Sequence, residues 1–313
     1  MIKPLSSLLA FALVAAAPPL QDDQATRVVR ALLDQDRLVA TVGYRLATAN
    51  ADLCSERLVE SGMLIETLGQ YGGEYRPAAK AVLGLSDRPT VALVVPGSPA
   101  ERAGIRAGDT LIDADGNAFG KSPPESGGGD FGPVAAALTI LDAALADGKA
   151  TLSIGRDDQM LTVELAGVQA CHARFQLMPG NDLDAVSDAN WVQISTRAAG
   201  FANGPDELAA ILAHELAHNA LGHRKAKATI QRAQELAADR LMPWLMARAG
   251  YDPAAAVSLW QRFKRKRLGG IIPDSSHPGW DERVRAVEAE RARIAAQSAS
   301  GRAIVPPADL LAR

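Results

Sequence analysis

The segment His214-Glu-Leu-Ala-His218 constrains this chain more than any other feature, because two histidines four residues apart share one face of a helix. The segment lies within a run from Leu208 to Leu221 that is otherwise largely apolar. Burying imidazoles and a carboxylate without partners is costly. The pattern therefore predicts a buried helix whose two histidines meet a common partner, and a metal ion is the partner that this spacing favours.

A second acidic pair, Glu235 and Asp239, follows on another helical pattern. A catalytic zinc ion takes three protein ligands and leaves a fourth position for water. We therefore predict that one Zn²⁺ is bound by His214, His218 and Glu235. Glu215 is turned toward the side where the water would lie and is the predicted catalytic base. Asp239 is expected to orient a ligand histidine through its spare ring N–H, and a solvated helix face without metal remains the alternative.

Length and charge narrow the number of domains and the classes of partner that the chain could have. The chain has 313 residues, enough for two domains, and 48% of them are hydrophobic, which suits a helix-rich soluble protein. Its 33 basic residues nearly balance 36 acidic ones, so there is no global electrostatic case for nucleic acid or an anionic membrane as a partner.

The first 17 residues are predicted to be a signal peptide. Lys3 supplies a positive charge, and the apolar stretch from Leu8 to Ala17 is too short to span a bilayer comfortably. The chain is therefore expected to be exported, to a periplasm first of all, with secretion as the alternative. An uncleaved anchor stays open, whereas no later stretch is apolar enough for an integral membrane segment.

Only two cysteines occur, Cys54 and Cys171. In an oxidising compartment two lone cysteines are expected to pair, and the long loop between them would make the bond worth roughly 4 to 5 kcal/mol in the chain-entropy model. Two buried thiols are the alternative, because sequence does not reveal their separation in space.

The composition changes along the chain, and the chain divides into five stretches. Residues 24–70 show helical periodicity, residues 78–168 are rich in short apolar strands and glycines, and residues 171–296 return to helices around the histidine motif. Residues 1–17 are the targeting segment and residues 297–313 a C-terminal tail. The predicted fold class is α+β.

The run Val95-Pro-Gly-Ser-Pro-Ala-Glu-Arg-Ala-Gly-Ile-Arg-Ala-Gly-Asp-Thr-Leu-Ile112 resembles a PDZ domain of the kind found in bacterial exported proteases. The resemblance implies a small β-rich domain whose groove takes an extended peptide by strand addition. By analogy, the loop that faces the peptide carboxylate is expected near Leu83, Gly84 and Leu85. A purely structural or occluded PDZ fold is the alternative.

The region from Cys171 to Arg293 resembles the HtpX and CAAX-prenyl-protease family of zinc metallopeptidases, peptidase family M48, in its soluble exported branch. Four segments in order carry this resemblance: Asp206 to His218, Glu235-Leu-Ala-Ala-Asp-Arg-Leu241, Ala249-Gly-Tyr-Asp-Pro253, and Ser276-His-Pro278 leading to Arg283. It implies a helical gluzincin-like domain with a small sheet and zinc held as above. The helix at 24–52 resembles the family's opening helix, which makes the PDZ-like region an insertion flanked by Cys54 and Cys171.

The function expected from these features is zinc-dependent hydrolysis of peptide bonds in exported or misfolded proteins, as in protein quality control. The family resemblance makes His277 and Arg283 candidates for stabilising the oxyanion, and a strand near Val192 to Ser195 is expected to be an edge that pairs with substrate. Two alternatives remain. The chain could be a PDZ-bearing chaperone or adaptor with structural zinc, or a latent peptidase in which His277 is a fourth ligand.

Overall fold

The computed structural model describes residues 23–122, 128–188, 190–223, 228–266 and 278–311. The predicted signal peptide at residues 1–17 and the candidate His277 lie outside these ranges. Within them, no helix has both the length and the apolar composition to cross a membrane.

Helices and strands alternate in a mixed α+β arrangement, which confirms the predicted fold class. The helices are α1 (Gln24–Ala49), α2 (Tyr75–Leu83), α3 (Pro99–Arg102), α4 (Gly132–Ala144), α5 (Thr196–Phe201), α6 (Pro205–Ala220), α7 (Ala228–Arg248), α8 (Ala254–Lys266) and α9 (Trp280–Ala299). The strands are β1 (Arg57–Glu60), β2 (Met63–Glu66), β3 (Thr90–Val94), β4 (Thr110–Ala114), β5 (Asn117–Ala118), β6 (Lys149–Arg156), β7 (Gln159–Ala166), β8 (Val168–Cys171), β9 (Arg174–Met178), β10 (Ala185–Ser187) and β11 (Trp191–Ser195).

The PDZ-like part is a sheet with the strand order β2-β3-β4-β6-β7, and β5 pairs with β4. Strands β1 and β2 lie within residues 24–70, where only helices were predicted, and β2 places the start of this sheet before residue 78. Inward-facing side chains of these strands form one core with the apolar face of α4, including Leu111, Leu141, Leu152 and Ile154. Strand β2 stands at the end of this order, so one of its backbone edges has no partner strand among the described residues.

The helical part is built from two stretches that are far apart in sequence. Helix α1 packs Val39, Val42 and Leu46 into the same core as α6 and α7, which contribute side chains such as Leu212 and Trp244. A three-stranded sheet with the order β10-β11-β9 covers this core. Because α1 precedes the PDZ-like sheet and α6 follows it, the sheet interrupts the helical part in sequence.

Strand β11 lies in the middle of its sheet, which corrects the prediction that the stretch near Val192 to Ser195 is an edge. It pairs antiparallel with β10 and parallel with β9, so both of its backbone edges are used. The alternation of side chains along Trp191–Ser195 indicates a strand correctly but does not distinguish a central strand from an edge. The edges of this sheet are β10 and β9.

A short antiparallel ribbon joins the two parts. Strands β1 and β8 pair from Arg57 opposite Cys171 to Glu60 opposite Val168. Next to this ribbon Cys54 and Cys171 form a disulfide with their Cα atoms 5.4 Å apart, across a sequence separation of 117 residues. The covalent bond therefore lies where the chain leaves the helical part and where it returns.

Candidate metal centre

Helices α6 and α7 pack together and bring three potential metal ligands to one point. Pro205 at the first turn of α6 has no N–H to leave unpaired, and Asp206 and Glu207 complement the positive end of the helix dipole. The helix that follows places His214 and His218 on one face, with their Nε2 atoms 3.2 Å apart. Glu235 of α7 faces both rings.

The donor atoms form a compact triangle. Glu235 Oε2 lies 3.3 Å from His214 Nε2, and Glu235 Oε1 lies 3.5 Å from His218 Nε2. Ligands about 2.0 to 2.2 Å from a tetrahedral zinc ion are separated from each other by about 3.3 Å. The spacing of these three residues therefore fits a zinc ion with a position left for water, and two histidines with one carboxylate are a donor set of catalytic zinc sites.

The electrostatics of the cluster also favour a positive charge at this point. Burial lowers the pKa of His214, but Asp239 and Glu235 outweigh it and raise the pKa to about 10. Burial and the neighbouring charge of His214 lower the pKa of His218 to about 3. Burial alone would raise the pKa of Glu235, yet its hydrogen bond and charge interaction with His214 hold it below its usual range. The carboxylates of Asp239 and Glu235 thus favour a positive charge at this point.

Asp239 and Arg283 lie behind the first histidine. Asp239 is fully buried, and its Oδ1 is 3.2 Å from His214 Nδ1. Arg283 of α9 is 4% exposed and donates to both oxygens of Asp239, from Nε at 2.6 Å and from Nη2 at 2.8 Å. The guanidinium also covers the ring of Trp260 at 4.2 Å. These contacts hold Arg283 against Asp239, and its Nη2 also lies 3.5 Å from His214 Nε2 and 3.9 Å from Glu235 Oε2. Its role as an oxyanion stabiliser stays a prediction.

Glu215 lies beside the ligand cluster, next to β10. Burial raises the pKa of its carboxyl to about 7, against the opposing effect of His214. The Ser187 hydroxyl at the end of β10 hydrogen-bonds the carboxylate. A carboxyl group with a pKa near neutrality is suited to accept a proton and return it within one reaction cycle.

His223 contacts the second histidine, a role that was not expected from the sequence. Gly222 adopts a φ of +66°, which turns the chain so that His223 N–H donates to the carbonyl of His218 at 2.9 Å. The same turn brings His223 Nδ1 to 2.9 Å from His218 Nδ1. If His218 Nε2 carries the lone pair for a metal ion, its Nδ1–H donates to His223. The five-residue spacing of His218 and His223 was the one sequence signal for this contact. Nothing in the sequence indicated that Ser187 would contact Glu215.

The predicted carboxylate-facing loop does not lie at the groove. Gly84 is the left-handed residue that ends α2, with a φ of +68°, and Leu83 and Leu85 are buried in a cluster with Val29 and Leu68. None of the three predicted loop residues lines the cavity between β2 and α4. The prediction was wrong because a helix end with flanking leucines has the same local sequence as a glycine loop.

Comparisons with known proteins agree with the division of the chain into a PDZ-like part and a helical part. A family model for the PDZ domain matches residues 90–125, and a model for peptidase family M48 matches residues 224–291. No curated protein shows a significant match. Among solved structures, the crystal structure of the HtrA3 PDZ domain bound to a phage-derived ligand (FGRWV) is 20% identical, covers 36% of this chain and 89% of that chain, and has a TM-score of 0.26. The chain is therefore similar to a PDZ domain over residues 90–125 and to peptidase family M48 over residues 224–291, as the sequence motifs predicted.

Proposed function

We propose that the protein is a zinc-dependent endopeptidase that acts on exported or misfolded polypeptides, in a periplasm or another extracytoplasmic compartment. The observation that carries this proposal is the cluster of His214, His218 and Glu235, with Glu215 beside it. The match of residues 224–291 to peptidase family M48 supports metal-dependent peptide hydrolysis in general. The PDZ domain would recruit substrates or regulate access to the cluster.

The proposed mechanism assigns each group a task. His214, His218 and Glu235 would hold a zinc ion, which would supply Lewis-acid polarisation of the scissile carbonyl and a lowered pKa of water. Glu215 takes a proton from the attacking water and delivers it to the leaving amine. Asp239 orients His214 through Nδ1, and Arg283 holds Asp239 in place.

Strand β10 is the proposed substrate edge. It is the end of its sheet nearest Glu215, which Ser187 contacts, and Val186 beside it is exposed. A polypeptide that pairs with the backbone of β10 would pass in front of the cluster without a requirement for particular side chains. This arrangement would suit unfolded substrates.

The decisive experiment compares cleavage of casein by the wild type and by Glu215→Gln, with zinc content measured in both. We expect equal zinc and a loss of activity of at least about 10³-fold, because the proton acceptor is removed while the ligands remain. Glu288→Gln, an exposed position on α9, is the matched control and should retain full activity. Cleavage that survives in Glu215→Gln would refute the assignment of the base.

The rival function is that of a PDZ-bearing chaperone or adaptor, or a latent peptidase, with a zinc site that is not used for turnover. In that case neither protein would cleave casein although both bind zinc. Suppression of aggregation of an unfolded protein, unaffected by Glu215→Gln, would then identify the binding function.

A further inference from the structure

Helix α4 and the residue before it contact the helical part at one end of the sheet β10-β11-β9. Phe131, which precedes α4, packs edge-on against Trp191 at the start of β11, with the ring centroids 5.4 Å apart. Asp142 of α4 forms an ion pair with Arg174 at the start of β9. Trp191 and Arg174 lie opposite each other in the parallel ladder between β11 and β9. Both contacts therefore reach neighbouring positions on the same sheet.

The contact between Phe131 and Trp191 belongs to the boundary between the two parts. Both residues are half-buried, and in the described ranges of the chain neither is a member of the buried cluster of its own part. An edge-to-face pair of rings at this distance is attractive beyond the apolar area that it buries. The pair therefore lies outside both cores and fixes how Trp191 sits relative to α4.

The turn between β10 and β11 is fixed by the carboxylate of Asp188. Asp188 Oδ1 accepts hydrogen bonds from the backbone N–H groups of Asn190 at 3.1 Å and of Trp191 at 2.8 Å. The N–H of Asp188 donates to the carbonyl of Trp191 at 3.2 Å, and the N–H of Arg174 donates to the carbonyl of Asn190 at 2.8 Å. An aspartate that accepts from the backbone just after it is a common device of turns. Trp191 and Asp188 are thus joined by hydrogen bonds in both directions.

Strand β10 connects this turn to the proposed catalytic base. Ser187 immediately precedes Asp188, lies opposite Val192 of β11, and contacts the Glu215 carboxylate through its hydroxyl. The geometry of a turn sets the register between the two strands that it joins. A turn that moves would displace Ser187 and the backbone edge of β10 together. A displacement of about 1 Å can cost about 100-fold in rate.

We propose that Phe131 and Asp188 are positioning residues for peptide hydrolysis. Phe131 holds Trp191, Asp188 ties Trp191 to the turn, and the turn keeps Ser187 and the edge of β10 in place beside Glu215. The PDZ-like part thereby supports the rate of turnover itself and not only the recruitment of substrate. This inference rests on the proposed function, because it concerns the geometry of the same site.

The first test measures kcat and KM for labelled casein together with zinc content. Phe131→Ala and Asp188→Ala should each lower kcat at least about fivefold. Zinc content should stay unchanged, because the candidate ligands lie on α6 and α7. Asp188→Asn should remain within about twofold of the wild type, since its amide oxygen can accept the same hydrogen bonds. A rise in KM with kcat unchanged would assign Phe131 to recruitment alone and would overturn the proposal.

The double variant that combines Phe131→Ala with Asp188→Ala tests whether the two residues act through the same turn. Its kcat should equal the lower of the two single-variant values, because the turn can be released only once. Losses that multiply would show two independent effects and would contradict the proposal. Met160→Ala is the matched control, since it truncates a 74% exposed apolar side chain of β7 in the PDZ-like part and should leave kcat unchanged.

Hydrogen–deuterium exchange gives a readout that does not depend on cleavage. The backbone N–H groups of β10 and β11 should exchange at least about threefold faster in Phe131→Ala and Asp188→Ala than in the wild type, and at the wild-type rate in Met160→Ala. Wild-type exchange in Phe131→Ala would refute its role. Circular dichroism confirms that each variant is folded.

Failure of this inference and failure of the proposed function give different results. A wild type that binds zinc but does not cleave casein would refute the proposed function. The exchange rates would then decide alone whether Phe131 and Asp188 hold the strand.

Discussion

At the scale of single residues, the candidate metal centre depends on the side chains that contact the candidate ligands. Asp239 Oδ1 lies 3.2 Å from His214 Nδ1, Arg283 holds Asp239, and His223 lies against His218. Each ligand histidine thus has its own support, one a carboxylate and the other a second imidazole. A partner at Nδ1 fixes which ring nitrogen carries the proton and so leaves Nε2 free to bind a metal ion.

His223→Leu should weaken zinc binding by about 10- to 100-fold, because His218 loses the acceptor for its Nδ1–H. His223→Asn should retain affinity within about threefold, since the amide oxygen occupies nearly the position of Nδ1. Competition with a chromophoric zinc chelator measures both constants. Equal affinities for the Leu and Asn variants would exclude the hydrogen bond as the cause.

Arg283→Met should lower the free energy of unfolding of the zinc-free protein by about 3 to 5 kcal/mol, because it removes the guanidinium that pairs with both oxygens of the fully buried Asp239 carboxylate. Arg285→Met, at an exposed position of the same helix, should change the stability by less than about 0.5 kcal/mol. Urea unfolding in the presence of a chelator measures both values. Similar stabilities for the two variants would contradict the buried pair.

At the scale of secondary-structure elements, local sequence patterns predicted individual elements better than they predicted the contacts between elements. The histidine helix and the α+β class could be predicted because helical periodicity and capping are local properties of the chain. The position of β11 within its sheet depends on β9 and β10, and the role of Leu83 to Leu85 depends on packing against α1. Such long-range contacts leave no periodic trace in a single sequence.

The buried Asp36 on helix α1 leads to a prediction of how the free energy of unfolding depends on pH. Burial, with help from Glu66, raises the pKa of Asp36 from its usual value of 3.8 to about 8, so the folded chain binds more protons here than the unfolded chain. Unfolding free energy should therefore fall as pH rises from about 4 to 8. Asp36→Asn removes this loss. The free energy of unfolding of the variant should exceed that of the wild type by at least about 1.4 kcal/mol at pH 8.5, and the two should be equal at pH 3.5.

Asp34→Asn on the exposed face of α1 provides the comparison, since its side chain is solvated. Urea unfolding at the two pH values gives the difference for each variant. A gain for Asp36→Asn that is the same at both pH values would rule out titration of Asp36 as its cause.

At the scale of the whole molecule, the sheet β10-β11-β9 lies between the candidate metal centre and a large cavity. The candidate metal centre adjoins β10, and the cavity of about 720 Å³ lined by α1, β2 and α4 adjoins β9. The β1–β8 ribbon and the Cys54–Cys171 disulfide connect the PDZ domain to the peptidase domain at a single place. The pairing of the cysteines was expected from their number, from the compartment and from their position on either side of the PDZ-like insertion, whereas the β1–β8 ribbon beside them depends on the fold.

Replacing both Cys54 and Cys171 by Ala should lower the unfolding free energy by about 2 to 5 kcal/mol, because the unfolded chain regains the entropy of a long loop. Urea denaturation of the wild type and of the double variant, each with and without a reducing agent, measures the effect. Reductant should shift the wild type toward the variant and leave the variant unchanged. A wild type insensitive to reductant, and as stable as the variant, would contradict the bond.

The interruption of the peptidase domain also has a consequence for the order of folding. All strands of the PDZ sheet come from residues 63–166, whereas α1 meets α6 only after the chain has closed a loop that contains this entire sheet. Contacts between residues distant in sequence form slowly, because closing the loop costs chain entropy before the new contacts contribute any stability. The PDZ domain can therefore fold before α6 and α7 gain the support of α1. A partly folded chain would have the PDZ-like sheet in place before it has brought together the candidate metal ligands.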